Sequence, residues 1–319
     1  MIDLIKMGLQ GIARHEAESI AQNNNLQIIN RNGKITYDNM NNKYKDAFYI
    51  RVETNQTGRL KLECSLHKFY SHVRTKKQTN FDLFSFNNSK TAVKLLEQQT
   101  ALDLSKMKVT YYEIGLNLNM ANDCRIYLDQ METVGSGENK RTLFVNPRYK
   151  DKRVKTTVFH KAVKKVYKVY DKVFEMRDKR RTDLPDHPNI LRIESIYKRV
   201  ENLTLAELLN HASIDRLTAQ FIKDWRTVQF SPEIIAENGT HQRKIELSKQ
   251  ILVHGTAETL NLYRMQHKEG SLTDKRFRNI REFIVNDWDT FKPTIIIIKS
   301  GIEKEYREKL TETLESLKD

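Results

Sequence analysis

The segment KVYKVYDKVFEMRDK places a tyrosine, Tyr170, between two lysines, Lys168 and Lys172. In an extended chain, side chains two residues apart share a face, so Lys164, Val166, Lys168, Tyr170 and Lys172 line up together. A phenol is a weak nucleophile at its ordinary pKa of about 10. Neighbouring ammonium groups favour the phenolate and also hold the phosphate that it would attack. The competing reading is an incidental tyrosine on a basic strand. Tyr167, three residues away, falls on the opposite face.

Phosphodiester attack by tyrosine needs negative charge neutralised at the phosphate oxygens. A hard cation held by two or three carboxylates does this. Three glutamates qualify by position. Glu113 lies on the polar side of VTYYEIGLNLNM, Glu63 alternates with Leu62 and Cys64 in KLECS, and Glu194 shares a face of LRIES with Arg192 and Lys198. Taken singly, each also reads as an ordinary ion-pair partner. His67 and His72 are spaced by five and form no tight two-histidine site; polar or DNA contact is the alternative role for His67. Walker-type glycine loops, HExxH and GxSxG are all absent from the sequence, so an ATPase, a zinc protease and a serine hydrolase lack their signatures.

The chain has 319 residues, 39% hydrophobic and 30% charged, with a net charge of +14 and a pI near 9.5. A basic surplus favours a polyanionic partner, usually nucleic acid. Much of the surplus sits in residues 148–181, where only Asp151, Asp171, Glu175 and Asp178 oppose a crowd of Lys and Arg. Concentrated charge suits a phosphate-binding groove better than a solvated face. The two cysteines, Cys64 and Cys124, form no CxxC pair, which suits a reducing compartment. No run approaches the length of a membrane span. The opening MIDLIKMGLQ lacks the apolar core of a secretory signal, and the expectation is a cytoplasmic protein with no membrane partner.

Period-two alternation predicts the strands that must position these groups. Residues 47–54 and 58–66 read as a hairpin through Asn55, Gln56 and Thr57. Residues 109–120 form the clearest strand, with Tyr112, Ile114, Leu116, Leu118 and Met120 on one side and Glu113, Gly115, Asn117 and Asn119 on the other. Further strands are expected at RTLFV, TTVF, KKVYKVYDK and ILRIESIYK, with a turn at VGSGEN. A helix is expected over 89–104. After residue 200 the pattern turns helical: a capping box at Thr204 and Glu207 opens LAELLNHA, and helices are predicted over 214–228, 243–266 and 273–288. The last two, joined by a Gly-containing turn, are compatible with helix-turn-helix use, with Lys275, Arg276 and Arg278 early in the second; a structural hairpin is the alternative. TIIII at 294–298 reads as a short strand and a charged helix ends the chain.

VYDKVFE at 169–175 followed by LRIE at 191–194 resembles the replication initiators of filamentous phages, the gene II/X proteins, and the related plasmid rolling-circle Rep proteins. Their motif reads Y-x-K-x-x-E and then (L/V)-R-(F/I)-E, and its tyrosine cleaves the DNA strand. MIDLI and LECSLHKFYSHV followed by TNFD are similar to two upstream blocks, and YYEIGLNLNM occupies the place of the family's acidic strand. There the chain departs from the pattern, with Glu113 where the family has aspartate and Tyr112 where arginine is common. The resemblance spans roughly residues 1–200, with a weaker echo in LNLYRMQHKEG.

What the resemblance implies is an α/β fold of the α+β type: a nicking domain over 1–200 with a central antiparallel sheet flanked by helices. A mainly helical region over 201–319 would serve origin recognition or partner contact. Tyr170 would be the nucleophile, assisted by Lys172. Glu113, Glu63 and Glu194 would hold Mg2+ or Mn2+, and no nucleotide cofactor is required. DNA would be bound by Lys164, Lys165, Lys168, Arg192, Lys68, Lys275, Arg276 and Arg278. The expected partners are a replication origin and the host helicase and polymerase, with the chain a monomer or a dimer. Tyr167 is the nearest second nucleophile. A non-enzymatic DNA-binding regulator of replication or transcription is the alternative. A tyrosine recombinase would need an Arg-His-Arg cluster that the sequence does not display.

Overall fold

Strict alternation of apolar and polar side chains commits a strand to burying one face and presenting the other. The computed structural model describes residues 1–31, 34–40, 47–54, 58–137, 140–146, 153–157, 164–298 and 300–317. Among these, the first half of the chain runs β1 (Ile2–Ile12), α1 (Arg14–Asn23), β2 (Gln27–Arg31), β3 (Lys34–Asp38), β4 (Phe48–Glu53) and β5 (Gly58–Ser65). Then follow α2 (Leu66–Thr75), α3 (Phe86–Thr100), β6 (Lys108–Asn119), α4 (Cys124–Gln130) and β7 (Met131–Val134). The short strands β8 (Arg141–Thr142), β9 (Phe144–Val145) and β10 (Val154–Thr156) precede β11 (Lys165–Asp171), α5 (Lys172–Asp178) and β12 (Ile190–Lys198). Next come α6 (Leu205–Leu208), α7 (His211–Arg226), β13 (Gln229–Phe230), β14 (Glu233–Ile235), α8 (Gln242–His254) and α9 (Thr256–Lys268). The chain closes with α10 (Asp274–Glu282), α11 (Trp288–Phe291), β15 (Ile296–Ile298) and α12 (Gly301–Glu315).

The fold is α+β. Ten strands form one antiparallel sheet in the order β2-β3-β4-β5-β1-β6-β12-β11-β10-β9. Directly paired residues share a face, so the register sorts the side chains. Ile50, Leu62, Ile5, Ile114, Leu116, Ile193, Val169 and Tyr167 fall on one side and are buried in a single core. Phe221 and Trp225 of α7, Leu96 of α3, and Tyr306 and Leu310 of α12 belong to the same core. Trp225 Nε1 fixes α7 to the sheet by donating to Ser195 Oγ at 3.1 Å.

Among the described residues there are two hydrophobic cores, and the larger takes residues from both sides of position 200. Leu205, Leu208 and Trp225 as well as Tyr306 and Leu310 belong to the sheet core. The second core lies between these segments and gathers Leu247, Ile251, Ile280, Phe283, Ile284, Trp288 and Ile295. The helix expected over 243–266 breaks at Gly255, whose φ of 84° is a conformation glycine adopts without penalty, giving α8 and α9. The helix expected over 273–288 passes from α10 into a π-helical turn, Phe283–Asp287. The capping box at Thr204 and Glu207 is formed, although α6 is a single turn. The helix expected over 89–104 is α3, which starts earlier, at Phe86, and is capped by Ser85. Residues 55–57 of the hairpin loop, 138–139 of the VGSGEN turn, 158–159 of TTVF, and 147–152 and 158–163 of the basic stretch lie outside the described residues. No helix among those described is long and apolar enough to cross a membrane.

Candidate active site

On the other side of the sheet the register puts polar groups side by side. Lys168 of β11 pairs with Glu194 of β12, which in turn pairs with Gly115 of β6; Tyr170 pairs with Arg192, which pairs with Asn117. Glu113 follows two residues along β6 and stands opposite Leu4 of β1. The β1–β6 register shifts between Ile2 and Leu4. An irregularity of this kind re-aims a side chain, and the residue inside it is Asp3. Asp3, Glu113 and Glu194 each offer an oxygen, and those oxygens lie within 4.8 Å of one another.

Arg192 organises the cluster. It is 2% exposed. Its Nη2 donates to Asp3 Oδ2 at 2.6 Å, its Nε to Glu194 Oε1 at 2.6 Å, and its Nη1 to Asn117 Oδ1 at 3.0 Å and the Asn80 carbonyl at 3.3 Å. Such a buried cation is tolerable only with its donors satisfied. The guanidinium lies flat against β6 because position 115 is glycine: a Cβ there would sit 2.4 Å from Arg192 Nη2. Asn80 adds a bond from Nδ2 to Asp3 Oδ2 at 3.2 Å. Tyr170 is 3% exposed, and its hydroxyl donates to Glu194 Oε1 at 2.9 Å. Lys168 Nζ donates to Glu194 Oε2 at 3.3 Å and lies 4.0 Å from the centre of the Tyr170 ring.

The charge states follow from burial and from these neighbours. Burial, then repulsion from Glu194, lifts the Glu113 carboxyl to about 7. Burial also works against ionised Asp3 and Glu194, yet Arg192 beside the first and Lys168 and Arg192 beside the second hold both below the usual carboxylate range. Lys172 is buried, and loss of water with the nearby Arg192 lowers its ammonium to about 8, against the pull of Glu175 at 2.8 Å. Three convergent carboxylates, one of them reluctant to ionise, form a hard-oxygen donor set, and a divalent cation would relieve their mutual repulsion. The residues fit such an ion.

Several sequence expectations need correction. Glu63 is not in the cluster: it pairs with Lys6 at 3.0 Å, farther along β5. Its place is taken by Asp3. The sequence held a signal for this residue, a carboxylate inside the apolar run MIDLI, since a buried charge needs a partner. Lys168 and Lys172 do not lower the Tyr170 phenol; burial and then the Glu194 carboxylate push it well above its ordinary value. Lys172 has left the strand, because Asp171 Oδ1 accepts from Phe174 N at 2.9 Å and starts α5.

The expected DNA contacts scatter. Lys165 points to the closed face and pairs with Asp224, while Lys164 pairs with Glu201 at 3.2 Å in the open. Lys68 is half-buried on α2, and burial lowers its pKa. Lys275, Arg276 and Arg278 are exposed on α10 beside the second core, outside the acidic cluster. His67 also stands outside the trio. Its Nε2 is 2.7 Å from Asp82 Oδ1, and its ring stacks on Phe84 at 4.3 Å. Tyr167 faces the core, edge-on to Trp225 at 5.9 Å.

No model of a known protein family matches this chain, and no curated protein matches it.

Proposed function

We propose that this chain is a metal-dependent DNA nicking and joining enzyme that initiates rolling-circle replication of a phage or plasmid. The single observation carrying this reading is the Tyr170 hydroxyl 2.9 Å from Glu194, itself one of three carboxylates within 4.8 Å of one another. In this reading the Tyr170 oxygen bonds to phosphorus as the P–O3′ bond breaks. The phenol proton passes to solvent, since Lys168 and Arg192 hold Glu194 ionised and make it a poor base, and the 3′ oxygen leaves as a hydroxyl after taking a proton from solvent. A 5′-phosphotyrosyl link and a primer for a polymerase result. Lys168 and Lys172 bind the scissile phosphate. Asp3, Glu113 and Glu194 would hold Mg2+ or Mn2+, which supplies Lewis-acid neutralisation of phosphate charge. Origin DNA, single- and double-stranded, would be the substrate, and host helicase and polymerase the partners.

The test is incubation of a labelled single-stranded origin oligonucleotide with wild type and Tyr170→Phe, with Mn2+ or EDTA. A covalent adduct is expected from wild type only and is lost in EDTA. Cleavage that survives EDTA would refute the metal site. One observation favours a second reading, a non-enzymatic DNA-binding regulator: the Tyr170 hydroxyl is covered, with the residue 3% exposed. Binding without any adduct would select it.

A further inference from the structure

The sequence locates its cations in residues 148–181, but the sheet carries another set that linear charge density does not reveal. Beside the acidic cluster, on the same face, lies a groove of about 480 Å³ along β5, β1 and β6. The register lays its floor in rows across the strands. One row reads Glu63, Lys6, Tyr111; the next reads Lys61, Gly8, Lys108, with Arg51 of β4 beyond Lys61. Arg59 and Lys106 add two more cations to the lining; of the five, Lys6 pairs with Glu63 at 3.0 Å, Lys61 with Glu53 at 3.3 Å and Lys106 with Asp103 at 3.5 Å. Arg59 and Lys108 make no ion pair or side-chain hydrogen bond among the described residues and are exposed. Gly8 stands between Lys61 and Lys108, and a Cβ there would come within 2.9 Å of the Leu60 carbonyl.

The groove connects to the acidic cluster through contacts. Lys6 Nζ lies 5.3 Å from the centre of the Tyr111 ring, and the Tyr111 hydroxyl donates to Glu113. Cations along the groove and an aromatic ring in the row nearest the carboxylates match the chemistry of an unpaired polynucleotide, which offers phosphates and flat bases together.

We infer that this face of β5, β1 and β6 is the track for single-stranded DNA, with Lys61, Lys108 and Arg59 on its phosphates and the acidic cluster at one end. The inference rests on the nicking reading only for what happens at that end.

The test is equilibrium binding of a labelled single strand (~20 nucleotides, longer than one typical site) to the full chain. Lys61→Gln/Lys108→Gln is compared with Lys94→Gln/Lys304→Gln, two exposed lysines on the helices α3 and α12. Removing two phosphate contacts should weaken binding ~10-fold at moderate salt and flatten the slope of log K against log[salt] by about 1.4. The control pair should change neither, and both variants should melt with wild type. Unchanged affinity and slope in the groove variant overturn the inference, whatever the adduct assay gives. Equal competition by duplex of the same sequence overturns the single-strand assignment. Loss of binding in the groove variant, with no Tyr170 adduct from wild type, keeps the track and removes the nicking reading. A wild type that binds no strand removes both.

Discussion

Tyr167 and Tyr170 stand on the same strand, β11, and show what the two sides of this sheet are for. Tyr167 packs edge-on to Trp225 in the main core and is 2% exposed. Tyr170 is equally covered, but by charge: Glu194, Arg192 and Lys168 surround it. Burial raises both phenols. What separates them is company. Tyr167 meets a single ion pair, Asp224 with Lys165 at 5.0 Å from its ring centre, whereas Tyr170 stands beside three convergent carboxylates, a set that could hold a cation able to neutralise phosphate charge. On the proposed reading, one face of the sheet serves stability and the other chemistry.

The sharpest way to break this contrast is Tyr170→Phe, which should abolish the covalent adduct altogether while moving the melting free energy by only about 1 kcal/mol, the net worth of a hydrogen bond. Tyr167→Ala should do the reverse. It opens a cavity beside Trp225 and should cost about 3–5 kcal/mol in denaturant titrations, with adduct formation retained wherever the chain is still folded; an unaffected stability would place Tyr167 outside the core.

Glu113→Gln probes the charged side. The Glu113 carboxyl stands at about 7 in the fold against an ordinary 4.5. Between these values the folded chain keeps a proton that the unfolded chain has released, so stability falls as pH rises through that window, by about 3 kcal/mol in full. Glu113→Gln should therefore be more stable than wild type above pH ~7 without metal, and the difference should vanish below pH ~4.5. Added Mn2+ should stabilise wild type and leave the variant unmoved; equal stabilisation of both would remove Glu113 from the metal set. The smallest effect is expected from Gly115→Ala, whose new methyl displaces the Arg192 guanidinium, at about 1–3 kcal/mol. Its informative readout is weaker Mn2+ stabilisation, since Arg192 positions Asp3 and Glu194 without touching substrate.

Much of this arrangement was legible in the residues. Alternation along 109–120 separated Glu113, Gly115 and Asn117 from the apolar side of β6, and the same rule set Tyr167 against Tyr170 and put Arg192 and Glu194 on one face. These are local facts, because a strand's two-residue repeat is a property of its own backbone. One helix expectation failed locally, at Gly255, where a single backbone choice overrides a hydrophobic repeat, while the helix expected over 273–288 is present with a π-helical turn, Phe283–Asp287, inside it.

Which distant side chains meet was decided only by the tertiary structure. Asp3 and Arg192 are 189 positions apart, yet their charges close to 2.6 Å because β1 is laid beside β6. The same strand order sends Glu63 to Lys6 instead of the cluster and gathers Lys61, Gly8 and Lys108 into one row. The direction of the Tyr170 shift had to wait for the fold too. Ammonium neighbours in sequence argue for a lowered phenol, but burial and a carboxylate contributed by β12 argue the opposite and prevail. Sequence settles which way each side chain points; pairing across the sheet settles what it finds there.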